Sequence, residues 1–273
     1  MSSARNELPP SRPPEVSVIL ATFNERENLP PLLARLWAVP LPPLEVLVVD
    51  DGSTDGTREF LEASAQNEPR LRLIWHEGKQ TTLRAQCQGI AAARGRFLIV
   101  MDADLQHPPE VLPDMVGALA NGAGLVVGSR YVAGGSAGPR TGMRTAISRG
   151  AEWTAKAFLP EAGALTDPVS GLFAFSREVF RPLPPDWRGY KLLLFLLVMS
   201  RNRRIVEVGY RFEPRASGAS KVTQNPLFIR FFLTEVVLAR RFRRTIARAP
   251  SAPAVTPSPA RDAREPPTRQ QPL

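Results

Sequence analysis

Residues 97–106 read Phe97-Leu98-Ile99-Val100-Met101-Asp102-Ala103-Asp104-Leu105-Gln106. An apolar run that stops at Asp-x-Asp-x-Gln describes a buried strand delivering oxygen atoms to the edge of a sheet. Side chains at i, i+2 and i+4 of an extended chain point the same way. On that reading Asp102, Asp104 and Gln106 offer two carboxylates and one amide oxygen to a single hard cation. Mg²⁺ or Mn²⁺ suits such oxygens and keeps open positions for phosphate. The competing reading is a turn whose Asp side chains cap a helix starting near Pro108-Pro109-Glu110.

Two earlier segments have the same form. An apolar run at 16–20 leads into Ala21-Thr22-Phe23-Asn24-Glu25, and one at 46–49 leads into Asp50-Asp51-Gly52-Ser53-Thr54-Asp55-Gly56-Thr57. Helical patterns follow at 27–38 and 57–65, and a further strand (71–75) and helix (82–94) lead into the acidic strand. Strand–helix alternation of this kind predicts an α/β fold, a mostly parallel Rossmann-like sheet with helices on both faces. Ligands of such sheets bind outside the carboxyl ends of the strands. Glu25, Asp51, Asp102 and Asp104 all fall at that edge, which predicts one shared site.

The strings VSVILATFNERENLP, VVDDGSTDGT, VMDADLQHPPEV, VGSRY and DPVSGLFAFSREVF, in this order, resemble the family 2 glycosyltransferases of GT-A fold. Among these they are most similar to the polyprenol-phosphate (dolichol-phosphate) mannose synthases, over residues 16–222. The resemblance implies a donor pocket in which Ala21, Phe23, Glu25, Val49 and Asp51 hold the guanosine part of GDP-mannose. It implies that Asp102, Ala103, Asp104 and Gln106 meet the metal and diphosphate, and that Arg130, Arg144, Arg215 and Lys221 bind phosphate and substrate. Asp167, in Asp167-Pro168-Val169-Ser170-Gly171, then borders the sugar and the acceptor; Asp104, Arg130, Arg144 and Asp167 are the candidates for catalysis. The acceptor implied is a polyprenyl phosphate. Several positions depart from the family pattern. Pro-Thr-Tyr-Asn-Glu is Ala21-Thr22-Phe23-Asn24-Glu25, Gly-Glu-Ser-Lys is Gly218-Ala219-Ser220-Lys221, and the acid of Gly-Phe-Lys-x-x-x-Glu is Phe195.

A chain of 273 residues accommodates one large α/β domain, expected over 15–222. Pro-rich stretches without apolar periodicity at 1–14 and 249–273 read as disordered tails. The single cysteine, Cys87, excludes an intramolecular disulfide and fits a reducing compartment. No signal-peptide pattern opens the sequence, and the longest apolar run, at 192–199, falls far short of the roughly 20 residues of a membrane span.

The net charge is +9, and Arg240, Arg241, Arg243, Arg244 and Arg248 follow an apolar helical stretch at 227–239. Residues 223–248 therefore read as an amphipathic basic helix on an anionic membrane surface. This predicts peripheral attachment at the cytoplasmic face of the cell membrane, with an integral-membrane partner as a further means of anchorage. Nucleic acid competes for such a patch, but no nucleic-acid-binding motif accompanies it. An Asp-x-Asp phosphatase would want Thr or Val where Gln106 stands, and an EF-hand would want Gly where His107 stands. Dehydrogenases and P-loop ATPases need glycine-rich loops that are absent. A transferase using a UDP-sugar, or a non-catalytic nucleotide-sugar-binding subunit, are the competing functions.

Overall fold

A computed structural model describes residues 13–76, 78, 80–138, 142–187, 189–214 and 227–248. The chain alternates β1 (Val16–Thr22), α1 (Leu29–Ala38), β2 (Leu44–Asp50), α2 (Thr57–Asn67), β3 (Leu71–Trp75), α3 (Thr82–Ala92) and β4 (Phe97–Asp102). It continues through α4 (Leu112–Ala120), β5 (Leu125–Ser129), α5 (Gly142–Phe158), α6 (Pro160–Gly163), β6 (Phe173–Ser176), α7 (Leu192–Met199), β7 (Ile205–Gly209) and α8 (Leu227–Arg248).

These strands form one sheet in the order β3-β2-β1-β4-β6-β5-β7. All neighbours are parallel except β6, which runs antiparallel to both β4 and β5. The inner strands are mostly apolar because both faces are covered; the exceptions buried at their start, Ser17 of β1 and Glu45 of β2, bond each other. Their side chains alternate between two cores: Ile19, Leu47, Leu98 and Val100 meet α3 and α5 to α8, whereas Val18, Val46, Ile99 and Met101 meet α1, α2 and α4. Cys87 on α3 is half-buried, and burial pushes its thiol up to about 12, leaving it unreactive.

After β3 the chain crosses back through α3 and enters β4 on the other side of β1. The strand order thus reverses between β1 and β4, where such sheets open a crevice. Register places Ala21 between Val49 of β2 and Asp102 of β4, so three strand ends carrying candidate residues lie side by side.

Helix α7 is wholly buried from Leu192 to Val198, as expected of its unbroken apolar run. Helix α8 differs from the sequence reading. Phe232, Val236 and Ala239 are buried in the protein's own core, and Phe242 stacks on Phe195 with ring centroids 5.4 Å apart. The face most suited to a bilayer is therefore already occupied. Among the described residues no helix is long and apolar enough to cross a membrane. The tails at 1–12 and 249–273 lie outside the described residues.

Candidate functional site

The nucleotide half of the crevice is built by mutual clasping of the loops after β1 and β2. Asn24, with a left-handed φ of 56°, donates from its N–H to Ser53 Oγ (2.8 Å) and accepts from the Thr54 N–H at Oδ1 (2.9 Å). The Glu25 N–H donates to Thr57 Oγ1 (3.1 Å), and Asn28 Nδ2 donates to the Glu25 carboxylate (2.6 Å). Asp50 accepts from the Ser53 N–H (2.9 Å) and so shapes the loop rather than facing the crevice. Asp51 Oδ1 accepts from the Gln80 N–H (2.7 Å) and lies 3.2 Å from His76 Nδ1, tying the chain after β3 to this half. His76 Nε2 in turn contacts Gln88 Oε1. Ala21 and Phe23 are half-buried beside this loop. The Val49 side chain is fully buried between strands, and Ala103 is buried too, so both reach a ligand only through their main chain.

The acidic motif is not an extended ladder. β4 ends at Asp102, and Leu105 takes a left-handed φ of 64°, which ends the two-residue alternation on which the sequence argument relied. Asp104 is buried and its Oδ1 accepts from the Gln106 N–H (3.1 Å). Gln106 Nε2 donates to the Glu213 carbonyl (3.3 Å), so its amide is turned toward the chain after β7. The Asp102 side chain is 49% exposed at the mouth. Beneath it, His107 Nδ1 accepts from the Asp102 N–H (3.2 Å). Burial holds the His107 pKa below its usual value, so the ring is neutral with its proton on Nε2, and its 3.8 Å approach to Asp102 Oδ2 is not an ion pair. Gly171 lies against this pair: a Cβ there would fall 2.8 Å from Asp102 Oδ2.

Among the described residues no cluster of three or more His, Cys, Asp or Glu is arranged to hold a metal. The chain's own donors are thus two neighbouring carboxylates, one open to solvent. They fit an ion that draws its remaining ligands from a substrate diphosphate, and do not fit an all-protein cage.

Beyond the acidic motif the charges are already paired. Arg130 donates from Nε to Asp167 Oδ2 and from Nη2 to Asp167 Oδ1, both 2.6 Å, and its N–H also reaches Oδ2 (3.2 Å). Asp167 is fully buried. Glu207 of β7 receives the N–H groups of Thr166 (2.8 Å) and Asp167 (2.9 Å). Arg130, for which the family resemblance implies phosphate and substrate binding, has Nε and Nη2 engaged by Asp167. The side chain of Arg144, and Arg215 and Lys221 altogether, lie outside the described residues.

Two participants escaped the sequence reading. Lys191, just before α7, donates from Nζ to the Val169 carbonyl (2.8 Å). Burial lowers its pKa, while Asp102 and Asp167 act in the opposite sense. Glu235 of α8 is fully buried and accepts from the N–H groups of Tyr190 (3.1 Å) and Lys191 (3.0 Å) and from Trp187 Nε1 (3.4 Å). Only the family pattern Gly-x-Lys signalled the first; nothing in the sequence signals the second, since Glu235 reads as an interruption of an apolar helix.

Burial raises the Glu235 pKa from the usual 4.5 to about 7, although the three donors and Lys191 pull it down. Below pH 4.5 the group is protonated whether folded or unfolded. Between pH 4.5 and about 7 the unfolded group ionises while the folded one stays protonated, so stability is lost across that window and is level above it, where folding carries the charge into an apolar site. Wild type should therefore lose up to about 3 kcal/mol relative to Glu235→Gln between pH 4.5 and 8 in urea unfolding. A difference between the two proteins that does not change with pH would refute this assignment.

The model of the family Glycosyl transferase family 2 matches residues 17–183. A dolichol-phosphate mannosyltransferase of Pyrococcus furiosus is 38% identical over 215 residues, covering 78% of this chain and 61% of the relative. This chain thus spans under two thirds of that protein's length. A polyprenol monophosphomannose synthase of Mycolicibacterium smegmatis is 35% identical, covering 76% of this chain and 80% of the relative. In fold, the chain matches the crystal structure of glucosyl-3-phosphoglycerate synthase from Mycobacterium tuberculosis, solved with Mn²⁺, UDP-glucose and phosphoglyceric acid, at a TM-score of 0.63. That match is 24% identical in sequence and covers 84% of this chain and 79% of the other.

Proposed function

The chain belongs to glycosyltransferase family 2, and on that premise we propose that it transfers a mannosyl group, with inversion, from GDP-mannose to a polyprenyl monophosphate. The observation that carries the reading is the convergence of the β1, β2 and β4 ends on one crevice, with Asp102 exposed at its mouth. The names of relatives 32–38% identical support the choice of sugar and acceptor.

In this mechanism an acceptor phosphate oxygen forms a bond to the anomeric carbon while the bond from that carbon to the diphosphate breaks on the opposite face. A phosphate monoester has a second pKa of about 6 and is largely dianionic at neutral pH, so no strong general base is required. That accords with His107, which is neutral, buried and already accepting a backbone N–H. A divalent ion, Mg²⁺ or Mn²⁺, supplies charge neutralisation at the departing diphosphate when bound. Asp102 and Asp104 are the residues that would hold it. The loops around Asn24, Ser53 and Asp51 orient the nucleoside, and orientation lowers the entropic barrier. The test is formation of solvent-extractable mannolipid from labelled GDP-mannose. A chain that binds the donor yet forms none is a sensor, not a transferase.

A lipid acceptor keeps its phosphate at headgroup level, so we place the protein peripherally on the cytoplasmic face of a membrane. What supports this is apolar surface left exposed on α5 and on α8, two helices that pack against each other. Ala146, Gly150, Trp153 and Ala157 form an exposed stripe at i, i+4, i+7, i+11 on α5, with Trp153 71% exposed. Beside it α8 exposes Leu233 and Val237 among Arg230, Arg241 and Arg244. Exposed Trp and Arg suit the interface of an anionic bilayer. Removing α8 would strip the core, so substitutions are the cleaner test. Arg241→Ser with Arg244→Ser should weaken sedimentation with anionic vesicles by about 1 kcal/mol per arginine, and high salt should release the wild type. Salt-independent binding of both proteins would contradict it.

A further inference from the structure

Glu235 is the only acidic residue of α8 and is fully buried, and among the described residues its hydrogen-bond partners are N–H groups of uncharged donors. Its carboxylate is wrapped by the segment 187–191, receiving the Trp187 indole N–H and the Tyr190 and Lys191 backbone N–H groups at 3.0–3.4 Å. The fit leaves no room at Gly189, where a Cβ would stand 2.2 Å from Glu235 Cδ. A distant helix therefore fixes the backbone from which the Lys191 side chain departs.

That side chain ends at the loop 167–171. Nζ donates to the Val169 carbonyl at 2.8 Å, in the loop that carries Asp167 and, at Gly171, abuts Asp102. An ammonium has three donors, and among the described residues Val169 is the one hydrogen-bond acceptor on Nζ. Arg130 is held in place by Asp167 through Nε and Nη2, whereas Lys191, which feels the charge of Asp102, keeps two of its three donors for an incoming oxyanion. The loop 167–171 leads into β6, on the side of β4 away from β1 and β2 where the nucleoside loops lie. An anion held by Lys191 therefore approaches from the acceptor side.

We propose that Lys191 binds the phosphate of the acceptor, and that Glu235 is a positioning residue that holds Lys191 in place from α8. This rests on the reading of the acceptor as a phosphate monoester given above.

The test is equilibrium binding of farnesyl phosphate to the full chain, alongside binding of GDP and, separately, turnover. Lys191→Met should weaken farnesyl phosphate about tenfold or more, the scale of one lost charge-assisted hydrogen bond, with GDP affinity within about twofold. Lys191→Arg should restore much of it. Glu235→Ala should weaken farnesyl phosphate several-fold, while Glu235→Gln, which keeps an acceptor oxygen, should recover most of the loss; Gly189→Ala should behave like Glu235→Ala. If Lys191→Met melts early, Lys191→Gln, which still has a donor for Val169, carries the same comparison. Unchanged farnesyl phosphate affinity, no binding by the wild type, or a parallel loss of GDP overturns the proposal. Equal defects in Glu235→Gln and Glu235→Ala overturn the positioning role. Absence of glycolipid with binding intact overturns the functional reading instead.

Discussion

Asp104→Asn is expected to lower sugar transfer by more than about 100-fold, the scale of removing one preorganised electrostatic stabiliser, with the fold intact. Asn keeps the size of Asp and an oxygen to accept the Gln106 N–H now bonded to Oδ1. The change removes the charge and turns the second carboxylate oxygen into an N–H donor. Two carboxylates are what the crevice offers to a cation bound with the donor diphosphate, and losing one leaves phosphate charge less well compensated. A second readout separates this from a packing defect: the enhancement of GDP affinity by Mg²⁺ or Mn²⁺ should shrink in the variant while metal-free affinity stays put. Near-normal turnover across a metal titration would remove Asp104 from the site.

The second large effect is on stability. Arg130→Met should destabilise the protein by about 3–5 kcal/mol, the cost of leaving a buried partner charge uncompensated. Asp167 is fully buried, with both oxygens on the Arg130 guanidinium and its N–H on Glu207. Asp167→Leu alone should cost a similar amount by stranding Arg130, and the double variant should recover part of the loss, because neither charge is then left alone. Urea unfolding of the four proteins measures this coupling. Additive losses, or a melting temperature that Arg130→Met barely moves, would return Arg130 to the exposed phosphate ligand that its sequence context suggests.

The contrast between these two residues shows what the sequence makes legible. The inner strands of the parallel half are readable because both faces are buried, giving largely apolar runs at 16–20, 46–49 and 97–101 that end in polar loops, while the edge strand at 71–75 is half-buried and interrupted by Arg72. The helices between them follow from amphipathic spacing, and the resulting order brings Glu25, Asp51 and Asp102 to one edge. The other half is less readable. β6 spans only Phe173–Ser176 after a Pro- and Gly-containing turn, and β7 is half-buried, so neither carries a long apolar signal. Within the motif, the left-handed Leu105 is invisible to a strand pattern, because no Gly or Pro marks the bend; it is accompanied by a local bond from the Gln106 N–H to Asp104 and a long-range one from Gln106 to Glu213.

Pairing is the other hidden quantity. Arg130 reads as an available cation and Glu235 as an awkward interruption of an apolar helix, since their partners lie 37 and 44 to 48 residues away. Helix α8 reads as a lipid-facing segment for the same reason: its apolar stripe is evident, but its contact with α5 and α7 is not. What remains outward on α8 is a smaller apolar set, Phe231, Leu233 and Val237.

The most direct measurement is a donor screen with the purified full chain, in which GDP-mannose, UDP-glucose and UDP-N-acetylglucosamine are offered separately with a short polyprenyl phosphate and Mg²⁺ or Mn²⁺. The account predicts extractable glycolipid from GDP-mannose that requires the metal and is lost in Asp104→Asn. Glycolipid from a UDP-sugar in preference, or none from any donor, would contradict it.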